Sequence, residues 1–141
     1  MAETDAAQVR PMASFIRIDA EDRPYLEGVR CGACDEVLAI EVRRACPKCA
    51  AVGALAPVRL SEQGRLYAYT VVHRSFPGVK TPFVAALVDL QGGGAINGNL
   101  EGVKPDEIRF DMPVRVRFER LAKPEAPSER FIRHVFAPLE G

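Results

Sequence analysis

Apolar and polar positions alternate most cleanly over residues 114–119, where Val114, Val116 and Phe118 are separated by Arg115, Arg117 and Glu119. A period of two predicts a strand with one face buried. Residues 65–74 form a longer run. Leu66, Ala68, Thr70 and Val72 fall on one side of it and Tyr67, Tyr69, Val71 and His73 on the other. Both sides are largely apolar, which predicts a central or strongly curved strand. Residues 83–90, 95–100 and 131–136 supply further strands. Gly92, Gly93 and Gly94 punctuate them as a hairpin turn, and Gly98 inside a strand points to a bulge or a close backbone approach. Loops are expected at 75–82 and 123–128, and a short helix or turn at 104–108.

The first third of the chain reads differently. Residues 1–10 form a polar tail, 15–30 a loose hairpin with a charged turn at 19–24, and 37–42 an apolar strand. The small-residue stretch 50–57 links this part to the strands that follow. Five or so closely spaced strands, a connection after the third and little helix suit a small closed barrel of the OB type, with an SH3-like barrel as the alternative. The expected architecture is mainly β. A flexible tail over 1–14 precedes a rubredoxin-like zinc ribbon over 15–55 and an OB-fold domain over 56–141.

The ribbon assignment rests on cysteine. The chain has four, arranged as Cys31-Gly-Ala-Cys34 and Cys46-Pro-Lys-Cys49 with eleven residues between the pairs. Two Cys-x-x-Cys knuckles offer four soft thiolates to one tetrahedral metal, as a structural zinc site requires. Iron would accept the same ligands. Two disulfides would need an oxidising compartment. A thioredoxin-like redox pair would need a helix start after a strand, which neither pair has. Four sulfurs fill the coordination shell, so the metal is expected to hold structure and perform no chemistry.

Composition narrows the function. At 141 residues and 48% hydrophobic the chain can bury a real core. Nineteen basic and nineteen acidic residues cancel, which counts against nucleic acid as the main partner because phosphate binding leaves a basic excess. A single-stranded nucleic-acid module is nevertheless the alternative function, since ribbons and OB barrels both serve it. The first ten residues lack the basic and apolar segments of a signal peptide, and no apolar run reaches membrane-spanning length. A cytoplasmic protein without a membrane partner is expected. Only His73 and His134 titrate near neutrality, the serines lie outside any nucleophile elbow, and Asp89 and Asp111 read as turn residues. An independent enzyme is not expected.

The order of motifs resembles a known family. The knuckles are followed by Gly64-Arg-Leu-Tyr-Ala-Tyr-Thr-Val-Val-His73, then Pro82-Phe-Val-Ala-Ala-Leu-Val88, Gly98, Leu100 and Met112-Pro-Val-Arg-Val-Arg-Phe118. Over about residues 25–120 this is similar to the zinc-ribbon/OB-fold acyl-CoA-associated proteins, a thiolase-associated domain of unknown function. The resemblance implies a non-catalytic accessory subunit assembled with a thiolase, a thiolase-like aldolase or synthase, or an enoyl-CoA hydratase. Its implied task is to stabilise that partner and help bind or pass an acyl-CoA. Two features depart from the family pattern. Asp35 and Ala50 stand where knuckles often carry glycine, and 11–18 reads as extended where a helix is common. If CoA touches this chain, the loop after the long strand is the candidate. His73, Arg74 and Lys80 could meet phosphate oxygens and Phe76 could stack on adenine; in the alternative, Arg74 and Lys80 are solvated charges and Phe76, Pro77, Pro82 and Phe83 form a docking surface for the partner enzyme.

Overall fold

The computed structural model describes residues 9–123 and 126–139. Among the described residues there are ten strands: β1 (Val9–Pro11), β2 (Ile16–Ile18), β3 (Pro24–Cys31), β4 (Val37–Leu38), β5 (Leu55–Arg59), β6 (Gln63–Val72), β7 (Phe83–Leu90), β8 (Ala95–Leu100), β9 (Pro113–Lys123) and β10 (Ala126–Pro138). A single 3-10 turn, Pro105–Glu107, lies between β8 and β9. No helix among the described residues is long and apolar enough to cross a membrane.

Strands β6, β7 and β8 form an antiparallel meander. The 3-10 turn then carries the chain across to β9, and β10 returns antiparallel to it. β10 lies parallel to β8 through Val135↔Asn99 and Phe136↔Leu100, while β9 closes onto β6 through Gln63↔Arg115 to Arg65↔Pro113. That circuit is the OB-fold barrel that the strand spacing predicted.

The ribbon lies ahead of it. β3 pairs with β2 and β4 along one edge and with β5 along the other. The expected boundary after residue 55 therefore runs through β5, and the ribbon's sheet extends to Arg59. The two parts share a core. Ile16, Leu26 and Leu60, together with Val37 and Ala39, pack into the cluster that holds Leu66, Val88, Val114 and Phe136. At this contact Gly93, with φ +124°, approaches the ribbon so closely that a Cβ there would lie 2.6 Å from that of Val37. Arg120 adds a polar tie across the same junction by donating to the Asp22 carbonyl at 2.6 Å.

Several segments differ from expectation, each for a local reason. The tail expected over 1–14 is strand at Val9–Pro11, because β10 offers a free edge over Arg130–Ile132 for parallel pairing; residues 1–8 lie outside the described residues. The strand expected over 37–42 stops at Leu38. Beyond it Ala39 turns to the barrel core and Ile40 to the core around the cysteines. The two faces expected of 65–74 are not continuous. A bulge between Leu66 and Ala68 shifts the register, so Leu66, Tyr69 and Val71 all pack inward. The loop expected over 123–128 is largely hairpin, with Ala126 paired to Lys123; residues 124–125 lie outside the described residues. The last strand accordingly spans Ala126–Pro138 rather than 131–136.

Gly98 is the close approach that its position suggested. The β7–β8 ladder runs through it without a bulge, and a Cβ would lie 2.7 Å from the His134 ring. That ring bonds the Asn97 carbonyl through Nε2 at 2.7 Å and meets Phe15 and Phe136 edge-on at 5.0 and 5.6 Å. Burial holds its pKa below the usual histidine value, outweighing the bond to Asn97. His134 is therefore a packed, neutral residue.

Two measurements check these contacts. Gly92→Ala, with positive φ and no atom within 4 Å of the new Cβ, is expected to cost about 1–2 kcal/mol in urea unfolding from backbone conformation alone. Gly93→Ala is expected to cost roughly 1–3 kcal/mol more because it also collides with Val37; equal costs would remove the claimed ribbon–barrel contact. For His134 the folded pKa is lowered, so the unfolded chain binds the extra proton. Stability contributed by the neutral ring is present above about pH 6.5 and declines as pH falls toward the depressed folded value. His134→Gln should show a shallower loss than the parent between pH 7.5 and 5.5, and parallel curves would refute the burial argument.

Candidate metal centre and the cleft at the barrel end

β3 ends at Cys31 and delivers it fully buried to the first knuckle. Each knuckle closes through a backbone bond, Asp35 N–H to Cys31 C=O and Ala50 N–H to Cys46 C=O, both 2.8 Å. Asp35 and Ala50 take φ of +68° and +67°, so they adopt the left-handed conformation for which glycine is the easier residue. The departure from the family pattern changes the residue and leaves the turn intact. Amide groups of Ala33 and Cys34 point at Cys31 Sγ from 3.4 and 3.5 Å, and that of Lys48 at Cys46 Sγ from 3.4 Å.

The four sulfurs all lie within 4.8 Å of one another. Cys31 and Cys49 are 3.6 Å apart, and Cys34 and Cys46 are 3.8 Å apart. A tetrahedron of sulfurs about 2.3 Å from one zinc has edges of about 3.8 Å, so the set fits a single metal ion. The cysteines are free thiols. The first pair is followed by no helix and lacks the setting of a thioredoxin-like redox centre. The Cys34 N–H and the other neighbouring donors bring the Cys31 thiol down to about 6 against the effect of burial. The Glu36 N–H favours the Cys34 thiolate, yet burial and the neighbouring sulfurs push that thiol up to about 12. Sulfurs this close cannot all be anionic without a cation between them, which is why such sets bind metal and release protons together. Lys48, paired with Glu36 at 2.9 Å, lies in the field of Cys34 and Cys46.

The other predicted site residues lie on the loop between β6 and β7, and the structure brings them together only in part. His73, Arg74 and Phe76 are exposed, Phe76 to 82%. Lys80 lines a cleft of about 620 Å³ at the barrel end, which Val71, Phe83, Leu100 and Val103 also line. Glu101 and Arg133 border the same cleft and were not singled out from sequence. Arg133 bonds Glu119 at 2.8 Å and Glu101 at 3.2 Å, and Arg117 bonds the same two carboxylates at 3.0 and 3.2 Å. The bond from Arg133 holds the Glu119 carboxyl below its usual range. The alternation at 115–119 marked Arg117 and Glu119 as outward-facing. Their partners come from other strands, where no local pattern reveals them. Asp111 sits at a positive-φ turn and the three glycines 92–94 form the β7–β8 turn, as their sequence contexts indicated.

Comparison with known proteins agrees with this architecture. Residues 57–119 match a family model described as the C-terminal OB-fold domain of ChsH2. A DUF35 domain-containing scaffold protein of Methanocaldococcus jannaschii is 31% identical over 124 residues, covering 86% of each chain. A probable enoyl-CoA hydratase alpha subunit of Thermomonospora curvata is 36% identical over 86 residues, which are 60% of this chain and 26% of that one. Among solved structures, a chain of the Ltp2-ChsH2(DUF35) aldolase superposes with a TM-score of 0.63 at 32% identity, over 81% of this chain and 84% of that one. With this arrangement of ribbon and barrel, and a relative matched along nearly its whole length, the chain belongs to the DUF35 family.

Proposed function

We propose that this protein is a non-catalytic accessory subunit of a CoA-thioester enzyme, held in shape by one structural zinc ion. The partner is a thiolase-like enzyme (a thiolase, an aldolase or a synthase of that kind) or an enoyl-CoA hydratase. The observation that carries the reading is the likeness, over both ribbon and barrel, to a DUF35 chain of an aldolase complex and to a protein described as a scaffold. A hydratase subunit among the relatives extends the partner class. The four-sulfur set supports a structural role for the metal, because it leaves no open position at which a substrate or water could be activated.

Cys31, Cys34, Cys46 and Cys49 would hold the zinc, whose only contribution is to fasten the two knuckles. Phe76 and Val79, exposed on the loop after β6, are the apolar side chains we assign to partner contact. His73, Arg74 and Lys80 on that loop supply donors and positive charge for CoA phosphates, with Phe76 as the alternative surface for adenine. This chain would thereby assist acyl-CoA binding or transfer while the partner performs the bond chemistry.

Metal analysis of the purified protein is expected to give one zinc per chain and a colourless solution; red protein containing iron would contradict the assignment. Cys31→Ala should lose the metal and unfold the ribbon. Affinity capture with the thiolase-like or hydratase products of adjacent genes should recover a stoichiometric complex, and Phe76→Ala should weaken that complex about tenfold or more, as removal of an exposed aromatic anchor does. A chain that stays alone with every such partner would overturn the accessory role.

A further inference from the structure

The four cysteine sulfurs are alike in chemistry and unlike in surroundings. Cys31 and Cys46 are buried, with 0% and 2% of their surfaces exposed, whereas Cys49 is exposed. Backbone donors follow the same division. Cys31 Sγ accepts from the Ala33 and Cys34 amides, and Cys46 Sγ from that of Lys48. Cys34, half-buried, has the Glu36 N–H. Among the described residues, the one polar contact of Cys49 Sγ is Cys31 Sγ.

A donated N–H draws electron density from a thiolate and blunts its attack on an electrophile, and burial denies the electrophile access. Cys49 has neither protection. Its neighbours in the knuckle, Pro47, Lys48 and Ala50, are exposed as well. The second sulfur needed for chemistry is already in place. Cys31 Sγ lies 3.6 Å from Cys49 Sγ, closer than the 3.8 Å between Cys34 and Cys46. An oxidised Cys49 would thus stand in contact with a resolving thiolate, the arrangement in which a sulfenic acid goes on to a disulfide.

We propose that Cys49 is the thiolate of this set that reacts with hydrogen peroxide, and that Cys31 resolves it. Attack of the Cys49 sulfur on peroxide forms an S–O bond and breaks the O–O bond, and the departing hydroxide takes a proton and leaves as water. Cys31 Sγ then forms the S–S bond as the S–O bond breaks, and a second protonated hydroxide departs as water. One peroxide, two thiolates and two protons give one disulfide and two waters. Only Cys34 and Cys46 remain as ligands, too few for a closed four-sulfur site, so the metal is released. The inference rests on the reading of the set as a structural zinc site.

Peroxide treatment of the zinc-loaded full chain, followed with a zinc-binding dye and by non-reducing peptide mapping, tests it. Release of one zinc per chain is expected together with a Cys31–Cys49 disulfide, and dimedone present during oxidation should label Cys49 ahead of the other three. Cys49→His keeps four ligands of kinds that zinc accepts, and it should slow peroxide-driven release about tenfold or more. A first disulfide within either knuckle, or between Cys34 and Cys46, would overturn the inference. So would first labelling at another cysteine, or a Cys49→His protein that releases zinc at the parental rate. Metal analysis before peroxide separates the two claims. A chain without zinc removes the structural-zinc reading and this inference with it, whereas a loaded chain that keeps its zinc under peroxide removes this inference alone.

Discussion

Four sulfur atoms confined within 4.8 Å impose the constraint on which the arrangement of this chain depends. They tie the end of β3 to two knuckles and set where β4 and β5 flank it. The core beneath them, Val29, Cys31, Cys46 and Leu55, is far too small to order a segment of this size unaided. Under the proposed function, a metal ion bound by the four thiolates would convert that deficit into a fixed lobe, since its binding free energy would become folding free energy.

What the fastened ribbon then does is pack against the barrel. β2 and β3 place Ile16 and Leu26 in the barrel's own core, and the chain beyond β4 sets Val37 and Ala39 against Gly93 and Gly94. Such a junction is apolar and close, so ribbon and barrel behave as one body rather than two linked modules. On the barrel side, the charged ring of Glu101, Arg117, Glu119 and Arg133 ties β9 and β10 to the end of β8. The loop after β6 carries Phe76, exposed to 82%, as the surface that the proposed accessory role assigns to a partner.

Much of this was legible in the sequence, and the exceptions share a physical cause. The knuckles were readable because metal geometry demands ligands at short, fixed spacing. β9 was readable because one of its faces is buried, so its period of two is unbroken. β6 misled because a bulge after Leu66 exchanges its faces, and no residue type announces a bulge there. β1 and the first part of β10 carry no period-two apolar pattern, and strand pairing with distant residues is not written in local sequence. The junction through Gly93 and the charge ring were invisible for a related reason. Each joins residues far apart in sequence, and only the fold reveals that Val37 meets Gly93 or that Arg133 meets Glu119. Of the loop residues proposed for ligand contact, Lys80 lines the cleft at the barrel end, while His73, Arg74 and Phe76 are exposed on the loop.

Hydrogen–deuterium exchange on the metal-loaded and metal-stripped protein tests most directly whether the sulfur cluster organises the whole chain. The account predicts that stripping the metal exposes amides of β3, β4 and β5, and also amides of the barrel at the β7–β8 turn and of β6 near Leu66, where the shared core is lost. Loss of protection confined to the ribbon, with the barrel's exchange unchanged, would contradict it.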